Sequence, residues 1–157
     1  MLSQAIPKKE INMRPYSYDL VHPYDRSIFD KICLTTKKLP EDETELGLGE
    51  NDEKEPVILS CHILSRAISR VFSLKFKDGY FCFHWEHSWV ISPHSHIIDV
   101  YPVATLGGPV MILYDLGTPH KILYQPLPTE SIYGDRFNRP WFTEAVDIVE
   151  KFLRFNI

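Results

Sequence analysis

The stretch from residue 74 to residue 125 constrains this chain most: turn residues cut it into short apolar runs, and an amphipathic helix brackets it at each end. Upstream, residues 57–72 read VILSCHILSRAISRVF, with Leu64, Ala67, Ile68 and Val71 on one stripe, widened by Ile63 and Phe72. Arg66, Ser69 and Arg70 fall on the other side, so one face is built for burial. Pro56 cannot sit inside the helix and Ser60 suits an N-cap, which puts Cys61 in the first turn. Downstream, Phe142, Ala145, Val146, Val149, Phe152 and Leu153 repeat at three- and four-residue steps over residues 140–155. Pro140 stands where a first turn tolerates it.

Between the helices the spacing changes to that of strands. Leu74 and Phe76 alternate with lysines, Asp78-Gly79 is a favoured two-residue hairpin turn, and residues 80–85 read as its return strand. Residues 88–92 and 96–101 suggest a second hairpin about Pro93-His94-Ser95. Two more apolar runs, 110–114 and 121–125, flank Gly117-Thr118-Pro119. An earlier helix opens at Pro23, with Tyr24, Ile28, Phe29, Ile32 and Cys33 at helical spacing, and ends before Pro40. Helices, then antiparallel strands, then a helix make an α+β layout, an antiparallel sheet with helices packed on it. A chain of 157 residues closes around one core, so 1–157 reads as a single domain preceded by an extended arm over residues 1–20.

Charge is unevenly placed. The chain carries a net −4, but residues 41–55, EDETELGLGENDEKE, hold eight acids and one lysine, a net of −7. The other 142 residues therefore sum to +3. Residues 40–56 have too little apolar content to pack and read as an acidic flexible loop. An acidic chain without a basic face is not built to bind nucleic acid. No apolar stretch approaches a membrane span and no signal peptide opens the sequence, so no membrane partner is expected and a cytoplasmic location is. Three cysteines, Cys33, Cys61 and Cys82, form no CxxC pair and no even framework, which fits a reducing compartment.

One constellation carries chemistry. A thiol nucleophile needs a lowered pKa, a base within reach and a group that holds the base in one tautomer. The unpaired N–H groups at a helix start favour thiolate, and Cys61 stands there. His87 begins a strand in His87-Ser88-Trp89-Val90, and Asp99 ends the next in Ile97-Ile98-Asp99-Val100-Tyr101-Pro102. If the Pro93 turn makes these strands a hairpin, His87 and Asp99 lie within reach of each other. Each residue also has an ordinary role open to it: Cys61 as core filler, His87 as a polar strand end, Asp99 as a strand terminator.

A Cys at a helix N-terminus, a later His-x-Trp-Val strand and an Ile-Ile-Asp strand ending near Pro resemble the transglutaminase-like branch of the papain-like cysteine proteases. The resemblance covers roughly residues 56–103 and marks 57–103 as a candidate catalytic core. It implies a papain-like, transglutaminase-type fold and a thiol hydrolase, with Cys61 as nucleophile, His87 as base and Asp99 as orienter. It implies a protein or peptide substrate and no cofactor. The Cys-to-His spacing of 26 residues is short for the family, and Leu59 stands where its members often carry Gly. Trp85 and Trp89 are candidate walls of the substrate cleft, although Trp is more often core.

Two other readings use overlapping residues. A non-catalytic interaction module can keep the same fold without the chemistry. Cys82, His84, His87, His94 and His96 offer thiolate and imidazole to a metal, but Pro93 sets His94 and His96 at a turn tip, and no metal site is assigned. His84-Trp85-Glu86 matches the H-x-E of zinc deaminases without the Pro-Cys-x-x-Cys that should follow. Tyr133-Gly134-Asp135-Arg136-Phe137-Asn138-Arg139 mixes aromatics with arginines in what reads as a surface connection.

Overall fold

Each long helix begins where a local signal places it. The computed structural model describes residues 21–40, 45–101, 108–112, 123–127 and 134–157. Helix α1 spans Pro23–Thr36, and the His22 ring accepts the Tyr24 N–H at its start. Helix α2 spans Cys61–Phe72, capped by extended Ser60, whose hydroxyl accepts the Ile63 N–H at 3.3 Å. It ends at Ser73, whose φ of 55° turns the chain out of the helix. A short α3, Gly134–Phe137, leads into α4, Pro140–Phe155.

Among the described residues, five strands follow the order expected of an α+β chain. They are β1 Lys75–Phe81, β2 Trp85–Ile91, β3 Ile97–Asp99, β4 Val110–Ile112 and β5 Tyr124–Pro126. The sheet order is β4-β3-β2-β1-β5, and every neighbouring pair is antiparallel. Strands β2 and β3 form the hairpin about Pro93, closed by Ser95 N–H to the Ser92 carbonyl at 2.9 Å, with Val90 opposite Ile98.

Asp78-Gly79 is not a turn. β1 runs straight through it, pairing Asp78 with Ser88 and Gly79 with His87, and the chain reverses at residues 82–84 instead. Cys82 and Phe83 take positive φ there, 51° and 71°, conformations that side chains other than glycine adopt at a cost. Pairing on both sides overrides the local turn preference, because Gly79 also faces Pro126 of β5. Glycine is required at this point by space: a Cβ would lie 2.1 Å from the Gln125 carbonyl oxygen and 2.8 Å from Trp89 Cη2.

Alternation along β2 divides the sheet into two faces. Val90 and Ile98 join the larger core with α1, α2 and α4, where Phe29, Ile32, Ala67, Ile68, Ala145 and Val149 are fully buried. Trp89, Ile97 and Tyr124 form a smaller cluster on the other face. Within the acidic segment, Glu50 bridges to Pro56, Asn51 Oδ1 accepts the N–H groups of Glu53 and Glu55, and buried Leu48 joins the larger core. The expected arm over residues 1–20, residues 41–44 of the acidic segment and the turn at 117–119 lie outside the described residues. No helix among the described residues is long and apolar enough to cross a membrane.

Candidate active site

The first residue of α2, the third residue of β2 and the last residue of β3 come together at one end of the sheet. Ser60 stops the helix one residue before Cys61, so the thiol sits at the positive end of the helix dipole. The β2–β3 register sets Asp99 opposite Trp89, one diagonal step from His87, and strand alternation points all three to the same face. His87 Nε2 lies 2.8 Å from Asp99 Oδ2, with both side chains 1% exposed.

Asp99 is held from several directions. The Tyr124 hydroxyl donates to Oδ2 at 2.7 Å, and the Tyr101 N–H donates to Oδ1 at 3.3 Å. A carboxylate taking these bonds is an acceptor, so the proton between it and the imidazole belongs to Nε2. That leaves Nδ1 for the thiol. Nδ1 meets no well-aligned hydrogen-bond partner, while Cys61 lies near enough to interact with the ring.

The electrostatics follow from this packing. Burial pushes the Cys61 thiol up, but interactions with His62 and then His87 outweigh it and bring the thiol down to about 6. Burial pushes His87 down, but the hydrogen bond to Asp99 and then the nearby Cys61 outweigh it and raise it to about 9. Between these values the favoured form is thiolate beside imidazolium. Tyr124 is driven well above the ordinary phenol range by burial and by the Asp99 charge, so it stays a donor.

The two tryptophans have different surroundings. Trp85 is 54% exposed at the start of β2, on the same strand face as His87. Trp89 is 1% exposed, 6.2 Å from the His87 ring and edge-on to Tyr124 at 5.3 Å. It walls the His87–Asp99 pair from the buried side and lines no open surface. Phe81, 6.0 Å from His87, adds to the same aromatic shell.

A second network starts at His62, the residue after Cys61 in α2, and runs along the helix side of the sheet. His62 Nδ1 lies 2.6 Å from Ser88 Oγ, and Ser88 donates to Asp78 Oδ1 at 2.6 Å. Arg66 binds both Asp78 oxygens, at 2.9 and 2.7 Å, and its guanidinium lies over the Phe76 and Phe137 rings. Phe137, in the expected surface connection, packs on His62 at 4.7 Å, and Arg136 beside it pairs with Glu86.

Among the described residues the remaining histidines are dispersed. His94 bonds to Asp25 through its ring at 2.7 Å and stacks on His22, while His96 is buried and its N–H donates to Ser92 Oγ. Among the described residues no three His, Cys, Asp or Glu side chains are grouped to hold a metal ion. Cys33 is buried in the larger core and Cys82 occupies the β1–β2 turn.

Sequence reasoning missed Tyr124 and the His62–Ser88–Asp78 chain. Nothing in the run around Tyr124 marks it as a partner of a residue 25 positions earlier. The Cys61-His62 dipeptide at a helix start was visible, and strand alternation already set Ser88 on the face opposite His87. No family model, no curated protein and no solved structure matches this chain.

Proposed function

We propose that this chain is a cysteine-dependent acyl-transfer enzyme, a peptidase or amide hydrolase on a papain-like, transglutaminase-type core, acting on protein or peptide substrates. One observation carries the reading: a buried carboxylate holds one nitrogen of an imidazole near enough to lower the thiol at the first residue of a helix. Those are the three requirements of an activated nucleophile.

In this reading the Cys61 thiolate attacks the carbonyl carbon, and the carbonyl π pair moves onto oxygen. The Cys61 backbone N–H, unpaired by position at the helix start, stabilises that oxyanion. Collapse breaks the C–N bond as His87 imidazolium gives its Nδ1 proton to the leaving amine, leaving a thioester. Water then attacks the thioester carbon, His87 takes the water proton, and sulfur leaves as thiolate. Asp99 and Tyr124 hold the imidazole throughout. Trp85 is the exposed aromatic surface beside this path.

Selective alkylation tests the reading. Iodoacetamide should label Cys61 faster than Cys33 or Cys82 near neutral pH, and His87→Ala should slow that labelling. Equal labelling of the three cysteines would overturn the enzyme reading and favour an interaction module on the same fold.

A further inference from the structure

Two large aromatic rings lie exposed where β1 turns into β2: Phe83, 64% exposed, in the turn, and Trp85, 54% exposed, at the first residue of β2. Their surface is continuous with the candidate site. Trp85 pairs across the strands with Phe81, and the Phe81 ring meets His87 edge-on at 6.0 Å. Strand alternation sets Trp85 and His87 on one face, roughly 7 Å apart along the strand. The turn itself holds a costly shape, since Cys82 and Phe83 both have positive φ, 51° and 71°. Asn-Gly or Asp-Gly meets that demand of a tight reversal without strain, yet Asp78-Gly79 lies within β1 and the turn is made by a cysteine and a phenylalanine. The Cys82 N–H donates to the Leu123 carbonyl at 3.0 Å, which fixes the turn against the chain entering β5. Strain of this kind persists where the surroundings impose it, and it clusters at ligand clamps.

We infer that Phe83 and Trp85 form a substrate subsite that selects peptides with an aromatic side chain within two residues of the scissile bond. Exposed apolar surface marks a ligand groove or a partner site, and its continuity with His87 through Phe81 makes the occupant a substrate. The class follows from what the rim offers. Glu86, the charged residue beside Trp85, is paired with Arg136 at 2.6 Å, so the rings and not a charge meet the incoming side chain. A third ring completes their offset and edge-to-face contacts better than an aliphatic group does. The inference rests on Cys61 being the nucleophile, and it adds which peptides reach it.

The test treats the full chain with acetyl-dipeptidyl chloromethyl ketones, comparing Gly-Gly with one Phe or one Lys at either position, and follows Cys61 alkylation against probe concentration. A Phe probe should half-saturate at a concentration about tenfold below Gly-Gly, the range that a hydrophobic pocket gives one side chain. Trp85→Ala should bring that ratio close to one. Phe83→Gly should shrink it too, while raising the urea unfolding midpoint, because glycine adopts this φ without steric cost. A purely structural Phe83 cannot give that opposite movement, and a lowered midpoint in Phe83→Gly would overturn its place in the subsite. Equal half-saturation by Phe and Gly-Gly probes, or a ratio that Trp85→Ala leaves unchanged, overturns the subsite while iodoacetamide still singles out Cys61. Preference for a Lys probe, held over the indole face as a cation, overturns the aromatic class. Equal iodoacetamide labelling of the three cysteines is a different failure, which removes the nucleophile and the subsite with it.

Discussion

Gly79→Ala is the sharpest probe of how this sheet supports its site. The substitution adds one methyl group at a strand position whose backbone angles any residue can adopt, so its whole effect is steric. The new Cβ would sit 2.1 Å from the Gln125 carbonyl oxygen and 2.8 Å from Trp89 Cη2. Ordinary carbon–oxygen contacts begin near about 3.3 Å, so the β5 backbone must retreat by roughly 1 Å. The indole cannot absorb the strain, because Trp89 is buried against Tyr124 and Ile97. Overpacking of this kind costs about 1–3 kcal/mol. Loosening the pairs Gly79–Pro126, Tyr80–Gln125 and Phe81–Tyr124 adds about 1 kcal/mol per lost hydrogen bond. The expected loss is therefore about 3–5 kcal/mol, a large part of the roughly 5–15 kcal/mol that holds a domain together. Urea unfolding followed by tryptophan fluorescence reads it as a midpoint lowered by about 2 M, given a slope of about 2 kcal/mol per M. Retreat of β5 also draws the Tyr124 hydroxyl from Asp99, so Cys61 alkylation should slow in the folded variant. A midpoint within about 0.3 M of wild type, by the same slope, would refute the seating of β5 against Gly79.

Three further outcomes are expected. Asp99→Asn keeps the shape of the carboxylate but removes the charge that raises His87 against burial, so the Cys61 alkylation midpoint should climb towards an ordinary thiol value of about 8.5. An unshifted profile would show that Asp99 has no hold on the pair. Stability against pH should be nearly flat in wild type from pH 6.5 to 9: on unfolding, His87 (about 9 folded, 6.5 unfolded) releases a proton while Cys61 (about 6 folded, 9.0 unfolded) takes one up. Cys61→Ala removes the compensating uptake, so its urea midpoint should fall as pH rises above 6.5, and a flat curve would count against the raised His87. Burial pushes Asp25 up, but bonds from His94 and Ser92 outweigh it and hold the carboxyl below 3.8, so its contribution is present above that pH and lost as pH falls further. Asp25→Asn should lower stability by about 2 kcal/mol near neutral pH and leave a shallower acid limb, checked by acid titration of circular dichroism.

The sequence by itself determined what depends on neighbours a few residues apart. Three- and four-residue spacing placed α2 and α4, Pro140 set the start of one, and Ser60 set the start of the other and so put Cys61 at its first residue. The order of strands and the Pro93 hairpin were also legible, and with them the approach of His87 to Asp99, since a single tight turn sets that register. Local signals failed where two distant partners outvoted them. Asp78-Gly79 has the chemistry of a turn, yet β2 and β5 claim both its edges, and the glycine serves the indole and the carbonyl beside it. Trp85 and Trp89 read alike in the sequence, and only the layering of the sheet exposes one and encloses the other. Tyr124 reaches Asp99 although β2 and β1 lie between their strands in the sheet order, a contact that follows from how the sheet curls. A periodicity encodes which face a residue shows, but what waits on that face is decided only when the elements pack.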